Sequence, residues 1–273
     1  MTKCHFFLLA VLVLLSASCK NDRQGGSLSE FGARTEASQE VRFEQYVRDL
    51  WNLPVEEALR RQDSLLRTAE QDSAEWARIT NLEDKYFLDP NSPFRNEELF
   101  IPVAEHLLTA PYSSDRQRQH AQWALPRLKL NRLGQKAADL EFLTPKGRRT
   151  SLYATMAERK PQKTLLFFSN PGCPNCLEIM KGLNEDEDIQ DLIESGKLLV
   201  VNIYPDQDIS AWLDYLPHYP DTWVCGQDGD QVLFTDTVYW LRAIPSLYLL
   251  DSEGRVLLKD ATLENILVNC KQR

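Results

Sequence analysis

The chain has 273 residues, 43% of them hydrophobic and 26% charged, and 31 Lys and Arg against 40 Asp and Glu leave a net charge of −9. That length holds one large or two ordinary domains, each able to bury its own core. The acidic balance argues against a nucleic-acid partner, because phosphate binding needs a basic face, and reads instead as a solvated surface.

The amino end starts with Lys3 and continues as an unbroken apolar run, Phe6 to Leu15. The run is too short for a bilayer-spanning helix, which needs about 20 residues, and it fits the apolar core of a secretory signal. Ser16, Ala17 and Ser18 then lead into Cys19, and this ending resembles the lipobox of bacterial lipoproteins, with Leu15 one place earlier than in the commonest pattern. The resemblance implies removal of residues 1–18 as a signal peptide and lipidation of Cys19. The chain would then be anchored in the bacterial cell envelope, facing the periplasm or the cell exterior. An ordinary cleaved signal with an incidental Cys19 is the alternative. Residues 19–40 are polar, contain Gly25-Gly26 and lack apolar periodicity, so they read as a flexible tether.

Residues 41–134 read as a small all-α domain whose role the sequence leaves open. Val55, Leu59, Leu66 and Ala69 share roughly one helical face, and Trp76, Ile79, Leu82, Glu83 and Tyr86 form a second helix that ends at Asp89-Pro90. Glu97 to Leu108 and Asp115 to Leu130 supply two more, the last capped by Ser113-Ser114 and interrupted by Pro126.

From residue 135 to 273 strands alternate with helices. The expected strands are 138–142, 164–169, 197–204 and 246–250, with a final hairpin strand at 255–258 after Asp251-Ser252-Glu253-Gly254. Helices are expected to open at Leu152 and Cys173 and to cover 209–216, 235–241 and 261–268. The result is a mixed central sheet flanked by helices. Glu185-Asp186-Glu187-Asp188 reads as a solvated helix cap or loop.

Chemistry concentrates at Cys173-Pro174-Asn175-Cys176, where an apolar strand runs through a short turn into a helix start. Unpaired amides and the helix dipole favour a thiolate there. Pro174 suits the first turn, where its missing amide costs nothing. Cys173 is the expected attacking thiol and Cys176, one turn further in, the resolving one. A structural zinc site is the main rival. It needs two further ligands, and His106, His120, His218, Cys225 and Cys270 form no second paired motif, so no metal is expected. Cys225 and Cys270 either bridge each other or stay as buried free thiols.

Residues 137–270 resemble the thioredoxin fold, in particular the TlpA/ResA-type membrane-anchored thiol-disulfide oxidoreductases. The likeness rests on residues 138–142 with Gly147 and Ser151-Leu152, on the strand leading to the cysteine pair, and on Ile244-Pro245-Ser246-Leu247-Tyr248-Leu249-Leu250-Asp251 with Gly254. It implies an α/β thioredoxin-like domain behind the helical one, whose redox centre is the Cys173–Cys176 disulfide with no other cofactor. Pro245 would be cis and face the disulfide, and Ile244 would offer its backbone to an extended substrate. The implied partners are protein thiols and disulfides and an electron donor in the cell envelope. Two departures stand out. Pro171-Gly172 precede Cys173 where the family has tryptophan, removing a packing surface. The strand before the motif also lacks the family's buried acid, for which Glu178 and Glu141 are candidate substitutes that read mainly as surface residues. The alternative function is a redox-inactive scaffold or binding lipoprotein with a structural Cys173–Cys176 bridge. Peroxide reduction is a weaker third reading.

Overall fold

A computed structural model describes residues 36–235 and 238–272, so the expected signal peptide, Cys19 and the expected tether up to residue 35 lie outside the described residues. Helix α1 (Glu36–Trp51) begins inside the segment expected to be tether. It does so because Phe43, Val47 and Leu50 recur at helical spacing and are buried.

Helix α2 (Val55–Ala69) buries Ala58, Gln62, Leu66 and Ala69, whereas Val55 is 46% exposed, so the inward face is rotated from the expected one. A polar residue sits in the middle of that face because its hydrogen bonds are met. Gln62 Nε2 donates to Glu83, and Gln62 Oε1 accepts from the Tyr46 hydroxyl at 3.0 Å. Helix α3 (Ser73–Glu83) starts at Asp72, whose carboxylate accepts from the Ala74 and Glu75 amides, and continues into a π turn, Asp84–Leu88. Helix α4 (Glu97–Thr109) is capped by Asn96, and α5 (Asp115–Leu128) opens with a capping box of Ser114 and Gln117. Pro126 lies in the last turn of α5 and does not interrupt it.

Glu83 is fully buried in this helical core, and burial raises its carboxyl from 4.5 to about 8. The folded chain therefore keeps a proton that the unfolded chain releases above about pH 4.5. This group's stabilising contribution is present below that pH and is lost as pH rises through about 8, by about 1.4 kcal/mol per unit in between. Glu83→Gln is expected to remove that part of the pH dependence. Chemical denaturation of both proteins at pH 5 and pH 8 checks it: equal losses in the two would rule the assignment out.

The second region is built on one sheet of seven strands ordered β2-β1-β5-β4-β3-β6-β7. Strands β1 (Glu141–Leu143) and β2 (Arg149–Ser151) form an antiparallel hairpin, followed by α6 (Leu152–Arg159). Strand β1 starts later than expected because Ala138 is engaged elsewhere: its amide donates to Asn131 and its carbonyl accepts from Tyr239. Strand β3 (Lys163–Phe168) lies between β4 (Leu198–Tyr204), parallel, and β6 (Ser246–Asp251), antiparallel. Strand β5 (Val224–Gln227) was not legible as a strand and pairs parallel with β4. Strand β7 (Val256–Leu258) closes the far edge.

Helices α7 (Pro174–Glu185), α8 (Glu187–Glu194) and α10 (Leu263–Lys271) contribute Met180, Leu183, Ile189, Ile193 and Ile266 to one face of the sheet, against Leu165, Phe167, Val200 and Leu249. Asp186 caps α8, so the acidic run is a helix start. The opposite face packs Leu166, Phe168, Val201 and Leu250 against Leu152 and Met156 of α6. Burial on both faces explains why β3 and β4 are continuously apolar. Helix α9 (Ile209–Tyr215) follows β4 and ends, as expected, just before Pro217.

The helix expected at 235–241 does not form. A 3₁₀ turn covers Val232–Thr235, residues 238–241 are irregular, and Asp236 and Thr237 lie outside the described residues. Tertiary contacts claim this segment instead. The Val238 carbonyl accepts from Asn131, and Trp240 inserts into the core of the helical region, edge-on to Trp123 at 5.6 Å. Arg242 donates to Glu97 at 3.0 Å and to Asp260 at 2.5 Å, while Lys259 reaches the other Glu97 oxygen at 2.6 Å. Arg95 donates to the carbonyls of Asp260 and Ala261. A buried ionic cluster thus joins the two regions next to the loop that carries Pro245.

Candidate functional site

Strand register brings the site together. Phe168 at the end of β3 pairs with Ile203 of β4 and Ser246 of β6. The chain leaving β3 toward Cys173 therefore starts beside the chain that arrives at β6 through Ile244 and Pro245. The Ile244-Pro245 bond is cis, and both residues are half-buried.

Between β3 and α7 the Cys173 amide donates to the Asn170 carbonyl at 3.3 Å. Gly172 closes this turn at φ +71°, and no atom lies within 4 Å of the place a Cβ would take. Backbone conformation, not space, demands glycine there. Cys173 is the N-cap of α7, Pro174 fills the first turn, and the Cys176 amide donates to Cys173 Sγ at 3.3 Å. The amide and the helix end both favour negative charge on that sulfur.

Both thiols are free in the structure, with Cys173 half-buried and Cys176 only 2% exposed. Burial pushes the Cys176 thiol up to about 12, and the neighbouring Cys173 adds to it. The two sulfurs are thereby differentiated, one reachable at a helix start and one held neutral beneath it.

The aromatic surface expected to be missing comes from α9 and the segment after it. Tyr215, its phenol raised chiefly by burial, lies close to the Gly172 backbone and within electrostatic reach of both cysteines. Its ring stacks on His218 at 4.5 Å and meets Tyr219 edge-on at 5.4 Å, and Trp223 continues the cluster to Phe167 of β3. These residues were missed in sequence; the signal was the aromatic density of 212–223 (Trp212, Tyr215, Tyr219, Trp223) beside Pro217.

Glu141 and Glu178 are exposed and stand in for no buried acid. Neutral groups occupy the interior beside the turn that carries Cys173. Asn202 Nδ2 donates to Ser169 Oγ at 2.6 Å, and Ser169 Oγ shares a hydrogen bond with the Tyr219 hydroxyl at 3.1 Å. Ser169 and Asn202 are fully buried, and burial raises the Tyr219 phenol to about 12.

Cys225 on β5 and Cys270 on α10 are free and do not bridge, and burial raises their thiols to about 12 and about 11. Among the described residues no group of three His, Cys, Asp or Glu converges as a metal site would require.

Comparisons with known proteins agree with this architecture. Residues 152–261 match the family described as thioredoxin-like domain, and residues 30–131 match a domain of unknown function (DUF5106). No curated protein matches the chain. A solved thioredoxin-like protein from Bacteroides caccae is 35% identical with a TM-score of 0.76, covering 86% of this chain and 83% of that one. The C-terminal domain of an uncharacterized protein from Bacteroides fragilis is 37% identical, covering 52% of this chain and 99% of its own, with a TM-score of 0.48. A conserved protein of unknown function from the same species is 34% identical over 50% of this chain and 98% of its own, with a TM-score of 0.47. With its mixed sheet, its cysteine pair at a helix start and the Bacteroides caccae protein matched along most of both chains, the protein belongs to the thioredoxin-like family.

Proposed function

We propose that the protein is a thiol-disulfide oxidoreductase that reduces disulfides of extracytoplasmic proteins while held to the envelope through lipidated Cys19. The observation that carries the reading is the asymmetry of the pair: half-buried Cys173 at the start of α7 with an amide on its sulfur, and buried Cys176 behind it. The Cys173 thiolate attacks one sulfur of a substrate disulfide, forming a mixed disulfide and expelling the first substrate thiolate. Cys176 then loses its proton and attacks Cys173 Sγ. The Cys173–Cys176 bond forms, the mixed disulfide breaks, and the second substrate thiolate leaves. The substrate gains two electrons and the protein loses them, so an external dithiol must restore the pair. Ile244 and Pro245 line the approach, where an extended substrate can pair with backbone.

Insulin reduction driven by a dithiol donor tests the reading, together with the equilibrium potential of the pair. Turnover with a potential near about −270 mV is expected of a reductant, whereas about −120 mV would mark an oxidant. No cysteine-dependent turnover with any donor would leave the scaffold reading.

A further inference from the structure

The connection between β5 and β6 has two sides. One side is spent on the helical region through Trp240 and Arg242. The other faces the redox turn. There Leu233, Phe234 and Leu241 join Pro205 and Ile244 around an open cavity of about 270 Å³, closed at its rim by Asn170 and Asp206. Asn170 is also the residue whose carbonyl receives the Cys173 amide, and Ile244 precedes Pro245, so this cavity shares walls with the redox site.

Three properties define what it takes. Its walls are mainly aliphatic and aromatic, and among the described residues no cation lines it. Polar chemistry is confined to its rim, where Asn170 Nδ2 donates to Asp206 at 3.2 Å and Asn170 Oδ1 stays without a partner. Its volume lies below the range of about 300–1,000 Å³ typical of small-molecule sites, which suits a single side chain. Phe234 stands 71% exposed at this position, a large aromatic surface in water beside an open apolar cavity.

We propose that this cavity is a specificity subsite that seats one apolar side chain of the polypeptide whose disulfide is attacked by Cys173. The inference rests on the thiol-disulfide reading above and adds the class of client: segments carrying a leucine or aromatic residue within two positions of the reacting cysteine. The occupant is a peptide side chain because the cavity adjoins the redox turn and shares Ile244 with the approach to Pro245. Acidic side chains are disfavoured by the Asp206 carboxylate at the rim.

The test uses full-length protein carrying Cys176→Ser, so that the mixed disulfide with Cys173 accumulates, and peptide disulfides that differ only by Leu or Ser near the cysteine. The Leu peptides are expected to react about tenfold faster, the discrimination typical of one apolar side chain in a pocket. Adding Phe234→Ser is expected to bring the ratio close to one, Phe234→Leu to retain most of it, and Val268→Ser, an exposed apolar residue of α10, to leave it intact. Equal rates for the two peptides, or a ratio that survives Phe234→Ser, overturn the subsite. A small aromatic disulfide separates the two levels. If it reacts while the peptides are not discriminated, only the subsite fails. If it does not react at all, the thiol-disulfide reading and the subsite fail together.

Discussion

Serine at Cys173 is expected to reduce insulin-reducing turnover to background, while serine at Cys176 is expected to stop turnover after one stoichiometric mixed disulfide. The difference follows from position. Cys173 is the half-buried sulfur at the head of α7, and a hydroxyl there cannot replace a thiolate nucleophile. Cys176 is 2% exposed and meets the substrate only through Cys173, so its loss spares attack and removes release. Mass spectrometry of the two variants after reaction with an oxidised protein substrate reads both outcomes. A covalent adduct on Cys173→Ser rather than Cys176→Ser would reverse the assignment. In the wild type the resolving step requires the Cys176 thiolate, and burial raises that thiol to about 12. Release measured in single turnovers is therefore expected to accelerate about tenfold per pH unit through the neutral and mildly alkaline range.

Glu97→Leu is expected to lower the unfolding free energy by about 3–5 kcal/mol, the cost of removing one partner from a buried ion pair. Glu97 is 3% exposed, and its two oxygens face Arg242 and Lys259, neither of which has ready access to water. Leucine fills part of the space but leaves two cations facing a low-dielectric interior. The exposed pair Arg149–Asp230 supplies the contrast, since solvent and salt screen it and Asp230→Asn should cost far less. Denaturant titrations of the three proteins make the comparison, and a Glu97 loss as small as that of Asp230 would show that the cluster does not hold the regions together. Arg242 lies two residues before Ile244, so loosening it should also slow turnover.

The cysteine pair and its turn were legible because their determinants are local. A strand, a glycine turn, a proline in the first helical turn and a two-residue spacing between cysteines are all features of adjacent residues. Strands β3, β4 and β6 were legible for a related reason, because burial on both faces leaves long apolar runs. The departures came from residues whose conformation is set at a distance. Residues 238–241 form no helix because Asn131 and the helical core claim Val238 and Trp240. Ala138 is withheld from β1 by Asn131 and Tyr239. Strand β5 escaped notice since Val224-Cys225-Gly226-Gln227 is short, and its glycine is kept small by Phe142 across the sheet.

The neighbourhood of the cysteines divides along the same line. Sequence alone determined which sulfur leads α7, which proline starts that helix and which proline stands before β6. It showed that tryptophan and a buried acid were missing, but it did not show what stands in their place. Only the tertiary structure decided that Tyr215 lies close to the Gly172 backbone, that Ser169, Asn202 and Tyr219 share the buried space, and that the β5–β6 connection walls a cavity beside Asn170. Local spacing dictates a turn or a helix start through backbone geometry. The partners that surround a thiol come from strands and helices brought together by folding, and no spacing along the chain encodes those distances.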